Sequence, residues 1–186
     1  MTILSRRAFG ALVGAALAAA GAGPALGQDL ENTLYLDLSY GRVVIQLRPD
    51  VAPKTVARIK ELVRQGFYDG TPFHRVIRDF MAQGGDPTGT GTGGSGRRLP
   101  AEFSALKHER GTVSMARGSD VNSADSQFFI CFAPAPYLDG QYTIFGQVVQ
   151  GMEFVDRIKK GDPNNNGLVS APQDRIVKMQ VAADAQ

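Results

Sequence analysis

The sequence predicts a mainly β domain, either a closed β-barrel or a sandwich, with two helices that cover its open ends. Two observations predict it. Short segments that alternate apolar and polar residues recur between residues 33 and 182, and turn-forming residues separate them. Two further segments instead carry apolar residues at helical spacing. Because the sequence has no internal repeat and no linker, we expect one domain.

Eight segments have the alternation that is typical of strands. The first two flank the turn Ser39-Tyr40-Gly41 and therefore predict a β-hairpin. The predicted strands are residues 33–38, 42–47, 73–77, 80–83, 112–116, 127–132, 144–149 and 175–182.

The two predicted helices cover residues 53–65 and residues 152–160. Pro53 begins the first helix, because its fixed φ suits the first helical position, and Gly66 ends it. The second helix ends before the turn that contains Pro163.

Residues 84–96 form a loop rich in glycine and threonine, with almost nothing to bury. Within it, residues 89–94 match GxGxxG, a pattern of dinucleotide-binding loops. Such a site also needs a helix directly after the glycines, whose N-terminus binds the pyrophosphate. Residues 95–100 have no helical periodicity, and no Lys-Ser or Lys-Thr pair follows the glycines. We therefore predict a flexible surface loop rather than a nucleotide site.

Composition and charge exclude several classes of function. The chain has 20 Lys and Arg against 18 Asp and Glu, and residues 1–27 contain two of the arginines and no acid. Residues 28–186 are therefore neutral overall, which gives no general electrostatic reason to bind nucleic acid or an anionic membrane. One cysteine and two histidines are too few for a disulfide framework or a usual zinc site. We expect Cys131 to be a buried core thiol, and we expect no metal or cofactor.

Residues 1–27 have the three parts of a secretory signal peptide, namely a positive start, an uncharged middle and a small-residue exit. The pair Arg6-Arg7 resembles the twin-arginine export motif. If this resemblance holds, it implies export in the folded state. The expected location of the mature protein is the periplasm.

Two alternatives to a cleaved twin-arginine signal remain open at this point. Paired arginines also occur in ordinary secretory signals. Residues 8–27 could instead stay in the membrane as an anchor, but they barely reach spanning length and contain Pro24. A cleaved signal over residues 1–27, followed by a domain over residues 28–186, is the prediction.

Three segments of the chain carry a family resemblance. Residues 73–87 read FHRVIRDFMAQGGDP, residues 114–132 read SMARGSDVNSADSQFFICF, and YLDG at 137–140 precedes TIFGQV at 143–148. In order, they resemble the cyclophilin segments FHRxIxxFMxQGGD, SMA…SQFFI and WLDG…VFGxV. The resemblance implies a closed eight-stranded antiparallel β-barrel capped by two α-helices. It also implies a peptidyl-prolyl cis/trans isomerase that acts on proline-containing polypeptides, assists folding and needs no cofactor. The sequence gives no evidence for oligomerisation, so a monomer is the default expectation.

The resemblance also implies which residues form the site. The implied catalytic residues are Arg75, Phe80, Gln83 and Phe129. The implied substrate-binding residues are Met81, Ala116, Arg117, Gln127, Tyr137, Leu138 and Tyr142.

This chain departs from the family pattern at three of these positions. Many relatives carry Asn where Arg117 stands, Tyr137 replaces a Trp that is common in eukaryotic members, and Tyr142 replaces a pocket His. The resemblance links that Trp to cyclosporin binding, so the sequence does not predict sensitivity to the drug.

The implied site residues suit the chemistry of amide rotation. Rotation about a peptide C–N bond breaks amide resonance and forms no covalent bond. A catalyst therefore needs a hydrogen-bond donor aimed at the prolyl nitrogen, an apolar slot for the ring and contacts with the flanking chain. Arg75 is the expected donor, because its guanidinium is always charged. Phe80 and Phe129 are expected to line the slot.

Two rival functions compete with an isomerase. One is a peptide-holding module of the same fold with negligible activity; Arg75 and Gln83 favour the enzyme, because binding proline does not require the arginine. The other is a small-ligand carrier, which is disfavoured because large Phe, Ile and Val residues would fill a small barrel. The sequence also gives no indication of a hydrolase, because it contains no GxSxG motif and no paired acids of the glycosidase type.

Overall fold

The computed structural model describes residues 29–185, so the predicted signal peptide lies outside the described residues. Within this range the chain forms eight strands and two α-helices. The strands are β1 (Thr33–Leu38), β2 (Gly41–Leu47), β3 (Arg75–Ile77), β4 (Met81–Gly84), β5 (Thr112–Met115), β6 (Phe128–Cys131), β7 (Ile144–Gln150) and β8 (Lys178–Val181). The helices are α1 (Pro53–Arg64) and α2 (Met152–Arg157). None of the helices in the described range is long and apolar enough to cross a membrane.

The eight strands form one sheet in the order β3-β4-β6-β5-β7-β2-β1-β8, and neighbouring strands run antiparallel. The predicted hairpin is confirmed, because β1 pairs with β2 across the turn at Ser39-Tyr40. The sheet curls into a half-barrel around a single large apolar core.

The prediction of a closed barrel is not confirmed. β3 and β8 stand at the two ends of the strand order, and no ladder joins them within residues 29–185. The free edge of β3 is instead satisfied by a loop: the amide of Val76 donates to the carbonyl of Gly167 at 2.8 Å, and the amide of Val169 donates to the carbonyl of His74 at 2.9 Å. Because this loop occupies the edge that β8 would need, the barrel stays open there.

The helix α1 buries its apolar face in the core, as its spacing predicted. Its first N–H groups receive no cap from the preceding residue, Ala52. The Glu102 carboxylate accepts hydrogen bonds from the amides of Lys54 at 3.0 Å and Thr55 at 2.8 Å. A negative charge is favourable at this end of a helix. Glu102 therefore ties the start of α1 to a segment far away in the chain.

The helix α2 is shorter than the predicted range of residues 152–160. It ends at Arg157, and Ile158 turns to an extended conformation with its side chain only 1% exposed. The Lys160 ammonium donates to the carbonyls of Asp156 at 2.7 Å and Ile158 at 2.8 Å. A lysine that satisfies the last carbonyls of a helix stabilises its end. Beyond Ile158 a tertiary contact replaces the helical hydrogen bond, because the amide of Lys159 donates to Oδ2 of Asp174 at 2.8 Å.

A second, smaller apolar cluster lies apart from the main core. Because side chains alternate along a strand, Phe128 and Ile130 of β6 enter the main core, whereas Phe129 and Cys131 enter the second cluster. Cys131 is fully buried, which confirms the predicted core thiol, and burial raises its pKa to about 12. The second cluster forms the floor of the candidate site.

Candidate active site

The second apolar cluster lines a pocket of about 290 Å³. Strands β3, β4 and β6 supply one wall, and the segment after β5 and the turn at Pro136–Leu138 supply others. The residues that line it are Arg75, Phe80, Met81, Gln83, Ala116, Arg117, Phe129, Leu138 and Tyr142.

Strand register explains why one cation and one amide stand beside aromatic residues. Arg75 of β3 lies opposite Gln83 of β4, and Gln83 lies opposite Phe129 of β6. Residues that face each other across an antiparallel pair project to the same side of the sheet. The three side chains therefore form a row across three strands.

Three hydrogen bonds hold the Arg75 guanidinium in place. Nη1 donates to Oε1 of Gln83 at 3.0 Å, Nε donates to the backbone carbonyl of Asn166 at 3.1 Å, and Nη2 donates to Oδ1 of Asn166 at 3.0 Å. No carboxylate of residues 29–185 forms an ion pair with it. Burial lowers the pKa of Arg75 below its ordinary value, but a guanidinium remains protonated. The pocket therefore contains a fixed positive charge that no acid neutralises.

A chain of amides orients Gln83. Its Nε2 donates to Oε1 of Gln127 at 2.9 Å, and Nε2 of Gln127 donates to the carbonyls of Gly91 at 3.0 Å and Gly93 at 2.9 Å. Because both hydrogens of the Gln127 amide face these carbonyls, its oxygen must face Gln83. Gln83 in turn presents its own oxygen to Arg75. The carbonyls of the loop at residues 84–96, called the glycine loop below, therefore set the direction of every hydrogen bond in this series of amides.

The buried Asp86 carboxylate organises that loop. It accepts hydrogen bonds from the amides of Thr88 at 2.8 Å, Gly91 at 2.6 Å and Gly93 at 3.1 Å. Burial acts to raise the pKa of Asp86, but the hydrogen bonds from Thr88 and the loop amides outweigh it and lower the pKa. Residues 85–96 have no helix or strand, as predicted, whereas Gly84 is the last residue of β4. The loop is nevertheless fixed to a fully buried acid that the sequence did not single out.

The apolar walls are aromatic on two sides. The Phe129 and Tyr142 rings meet edge to face, with centroids 6.0 Å apart and planes at 81°. Met81 is 1% exposed and Leu138 is 8% exposed, so the floor is closed to solvent from below. Such a surface can accept a small apolar ring and exclude water from it.

A histidine supports the pocket from behind. His108 is 1% exposed and stacks on Phe129 with a centroid distance of 6.1 Å and an interplanar angle of 14°. Its Nδ1 lies 3.1 Å from Oδ1 of Asp139, and its Nε2 lies 3.1 Å from Oγ of Ser114. Burial lowers the pKa of His108, and the Asp139 carboxylate opposes this shift. Both ring nitrogens have partners, so the imidazole acts as a rigid support for Phe129.

The family model for cyclophilin type peptidyl-prolyl cis-trans isomerases matches residues 33–181, most of the chain. A probable peptidyl-prolyl cis-trans isomerase of Brucella suis is 49% identical over 193 aligned residues, covering 97% of this chain and 98% of the relative. A peptidyl-prolyl cis-trans isomerase of Helicobacter pylori is 42% identical, over 73% of this chain and 86% of the relative. The chain belongs to the cyclophilin family. Its enzyme class is therefore that of the peptidyl-prolyl cis/trans isomerases.

Solved cyclophilin structures share the fold. A crystal structure of a Cryptosporidium parvum cyclophilin type peptidyl-prolyl cis-trans isomerase in the presence of the dipeptide Ala-Pro has a TM-score of 0.73 and 32% identity, covering 80% of this chain and 98% of that one. A cyclophilin of Hirschia baltica also has a TM-score of 0.73, with 28% identity over 84% of this chain and 76% of that one.

Two of the residues that the cyclophilin resemblance assigned to the site do not line the pocket. Gln127 instead lines a separate groove next to the pocket, where its side chain accepts the hydrogen bond from Gln83. Tyr137 is 61% exposed, and its ring lies beside that of the pocket residue Phe80, with centroids 5.7 Å apart. The other assigned residues line the pocket, and the catalytic and binding roles of all of them stay predictions.

Arg117, which stands where many cyclophilins carry Asn, is held across the pocket wall. Its guanidinium lies 4.6 Å from the centroid of the Tyr142 ring. Its Nη2 and Nε donate to the carbonyl of Gln141 at 2.9 and 3.1 Å, and its Nη1 donates to the carbonyl of Gly118 at 2.9 Å. Arg117 thus brings a second cation to the rim of the pocket.

Sequence reasoning missed four residues that support this cyclophilin site. Asn166 lies far from Arg75 in the chain, in a turn that carries no periodic signal. His108 lies outside the recognised segments, whereas Asp139 lies inside YLDG, where an acid directly after the pocket residue Leu138 was the available signal. Asp86 ends the QGGD run, and its position near the start of the glycine-rich loop could have suggested an acid that binds loop amides.

Proposed function

We propose that this chain accelerates rotation about X-Pro bonds in unfolded or extended polypeptides, and so assists folding, by stabilising the twisted amide with Arg75. The observation that carries the proposal is a fixed guanidinium without an acidic partner in residues 29–185, beside a pocket with a buried apolar floor. The Ala-Pro dipeptide present with the Cryptosporidium parvum relative supports proline-containing peptides as substrates.

The proposed chemistry follows from the electronic structure of the amide. In the planar ground state the prolyl nitrogen lone pair is delocalised, so it accepts no hydrogen bond. At the twisted transition state the nitrogen becomes pyramidal and recovers the lone pair. A donor that contacts this nitrogen therefore stabilises the transition state more than the ground state, which is the condition for catalysis. Arg75 supplies that donor.

The apolar pocket would hold the proline ring and remove water from the amide. Phe80, Met81, Phe129 and Leu138 offer no polar group to the ring. A twisted amide has less charge separation than a planar one, so a dry environment favours it, and the same environment strengthens the bond from Arg75. Gln83 keeps the guanidinium aimed while the bond turns. No step requires a nucleophile or a cofactor.

A protease-coupled assay on an X-Pro peptide tests the proposal. Wild-type protein should shorten the slow phase of isomerisation, and Arg75→Ala should lose about 100-fold to 1,000-fold of that activity, the usual effect of deleting one preorganised donor. Equal rates for the two proteins would contradict the arginine mechanism. Inactivity of both would favour the rival peptide-binding module.

We also propose that residues 1–27 direct the protein to the periplasm, where residues 28–186 act as a monomer. The support is the Arg6-Arg7 pair followed by an uncharged stretch. Replacing both arginines by lysine keeps the charge and should trap a twin-arginine client in the cytoplasm, as fractionation of the cells would show. Normal export of that variant would point to the ordinary secretory route.

A further inference from the structure

A polar groove of about 360 Å³ continues from the pocket and shares part of its wall. Gln83, Ala116 and Arg117 line both cavities, so a polypeptide whose proline fills the pocket must pass close to the groove. The opposite wall of the groove is built by the glycine loop and by Arg98. The sequence resemblance gave Arg98 no role.

The charges that line the groove are unbalanced. Arg98 and Arg117 are the two cations, and Asp125 is the acid. Both Asp125 oxygens are engaged by backbone: Oδ1 accepts from the amide of Ser95 at 2.7 Å, and Oδ2 accepts from the amide of Gly96 at 2.9 Å. Asp125 therefore binds backbone amides of the loop and forms no ion pair with either arginine of the groove.

Neither arginine is paired with an acid among residues 29–185. Arg117 donates only to backbone carbonyls, and Arg98 has no hydrogen bond or ion pair within this range. The adjacent Arg97 differs, because its Nη1 lies 3.4 Å from Oε2 of Glu61 and it does not line the groove. Since residues 28–186 have no net charge, the positive potential here is local rather than a property of the whole surface.

We propose that this groove selects an acidic side chain of the substrate, close to the proline, and that Arg98 is the residue that sets this preference. The inference rests on the proposed isomerase function and adds a substrate class, acidic X-Pro segments, to it. A carboxylate in the groove would lie between two guanidinium groups. Because Arg98 is exposed, its effect is that of a surface ion pair, and it weakens as salt screens it.

Matched proline peptides test the preference by NMR exchange spectroscopy, which needs no coupling protease with a preference of its own. Three peptides differ only in carrying Glu, Gln or Lys at one position. One series places that residue two positions before the proline, and a second series two positions after it. In one of the two series, kcat/KM for Glu should exceed that for Gln by about threefold to fivefold at low salt. High salt should bring this ratio close to one.

Two variants and a control assign the preference to Arg98. Arg98→Ala should bring the Glu-to-Gln ratio close to one, and Arg98→Glu should reverse the order so that the Lys peptide is preferred. A gained preference for Lys cannot arise from a folding defect. Arg97→Ala removes the same charge one residue away and should keep the wild-type ratio.

Two results would overturn the inference while leaving the isomerase intact: equal rates for Glu and Gln peptides in wild type, or an unchanged ratio in Arg98→Ala. Absence of catalysed exchange for every peptide would overturn the proposed function and this inference with it. The neutral Gln peptide distinguishes the two failures, because its isomerisation reports the basal reaction alone.

Discussion

Gln83 can hold Arg75 only because another amide, that of Gln127, fixes which end of the Gln83 side chain faces the guanidinium. Gln127 uses both of its hydrogens on the carbonyls of the glycine loop. An amide without such a constraint presents either its oxygen or its nitrogen, and an NH₂ group turned toward Arg75 would repel it. The aim of the proposed catalytic donor thus depends on a residue that does not line the pocket.

Replacing Gln127 by Ala should therefore lower kcat/KM about fivefold, the value of one lost hydrogen bond that positions a reacting group. The reduction should appear in kcat, because the apolar pocket that binds the proline ring is untouched. Gln127→Glu provides a matched test: it can still accept from Gln83 but cannot donate to the loop carbonyls, so it should be impaired as well. Gln180→Ala, on β8, is the control. A loss confined to KM would contradict this positioning role.

At the scale of elements, the glycine loop is the part of the site that the sequence described least well. The lack of periodicity correctly predicted that residues 85–96 have no helix or strand, although Gly84 is the last residue of β4. It could not reveal that Asp86 is fully buried and binds three loop amides, because hydrogen bonds between a side chain and nearby backbone leave no repeating pattern. Gly93 must lack a side chain here, since a Cβ at that position would collide with the Asp86 carboxylate.

Asp86→Ala should release the loop from the body of the protein. Three partly buried hydrogen bonds from loop amides are lost, so the free energy of unfolding should fall by about 1–3 kcal/mol. Amide hydrogen exchange across residues 85–96 should quicken, whereas α1 should exchange as in wild type. Asp120→Ala removes an exposed acid and serves as the control. Unchanged exchange in the loop of Asp86→Ala would refute the assignment of Asp86 as its anchor.

Elements with strong periodicity were predicted well, and those that depend on distant contacts were not. The β1–β2 hairpin and α1 follow from local patterns. α2 ends early where the amide of Lys159 bonds to the distant Asp174 carboxylate, and β8 begins later than residue 175 because residues 174–176 bond to the segment before β3. The pocket residues were located through the family resemblance. A family motif indicates which residues of neighbouring strands face each other, and a single sequence does not show this register.

At the scale of the whole molecule, closure of the sheet depends on pairing between its two edge strands, which lie about a hundred residues apart in the chain. Alternation within each strand shows which face is buried but not whether two distant edges meet. The loop that contains Gly167 and Val169 covers the edge of β3, and the barrel remains open. Neither the lack of pairing between β3 and β8 nor the loop that covers β3 is encoded in a local sequence pattern.

Both histidines should make the whole domain less stable in mild acid. His74 is 2% exposed, neither of its ring nitrogens has a hydrogen-bond partner within residues 29–185, and burial lowers its pKa. Burial also lowers the pKa of His108. A histidine whose pKa is lower in the folded state favours folding above its unfolded pKa, about 6.5, and opposes it as the pH falls below that value.

Urea unfolding between about pH 7 and pH 5 should therefore show a falling free energy of unfolding, by at most about 1.4 kcal/mol per pH unit for each histidine. The carboxylates whose pKa values are lowered, such as Asp86 and Asp139, titrate below this window and do not contribute there. His74→Gln should flatten the dependence. A free energy of unfolding that rises on acidification would contradict the burial of neutral histidines.

The central claim is that Arg75 acts on the twisted amide rather than on the bound ground state, and NMR exchange of a proline peptide on the saturated enzyme tests it most directly. The account predicts that Arg75→Ala lowers the rate of cis/trans exchange on the enzyme by about 100-fold or more, while the dissociation constant of the peptide changes by less than about threefold. An unchanged exchange rate on the enzyme, with the loss confined to peptide binding, would contradict it.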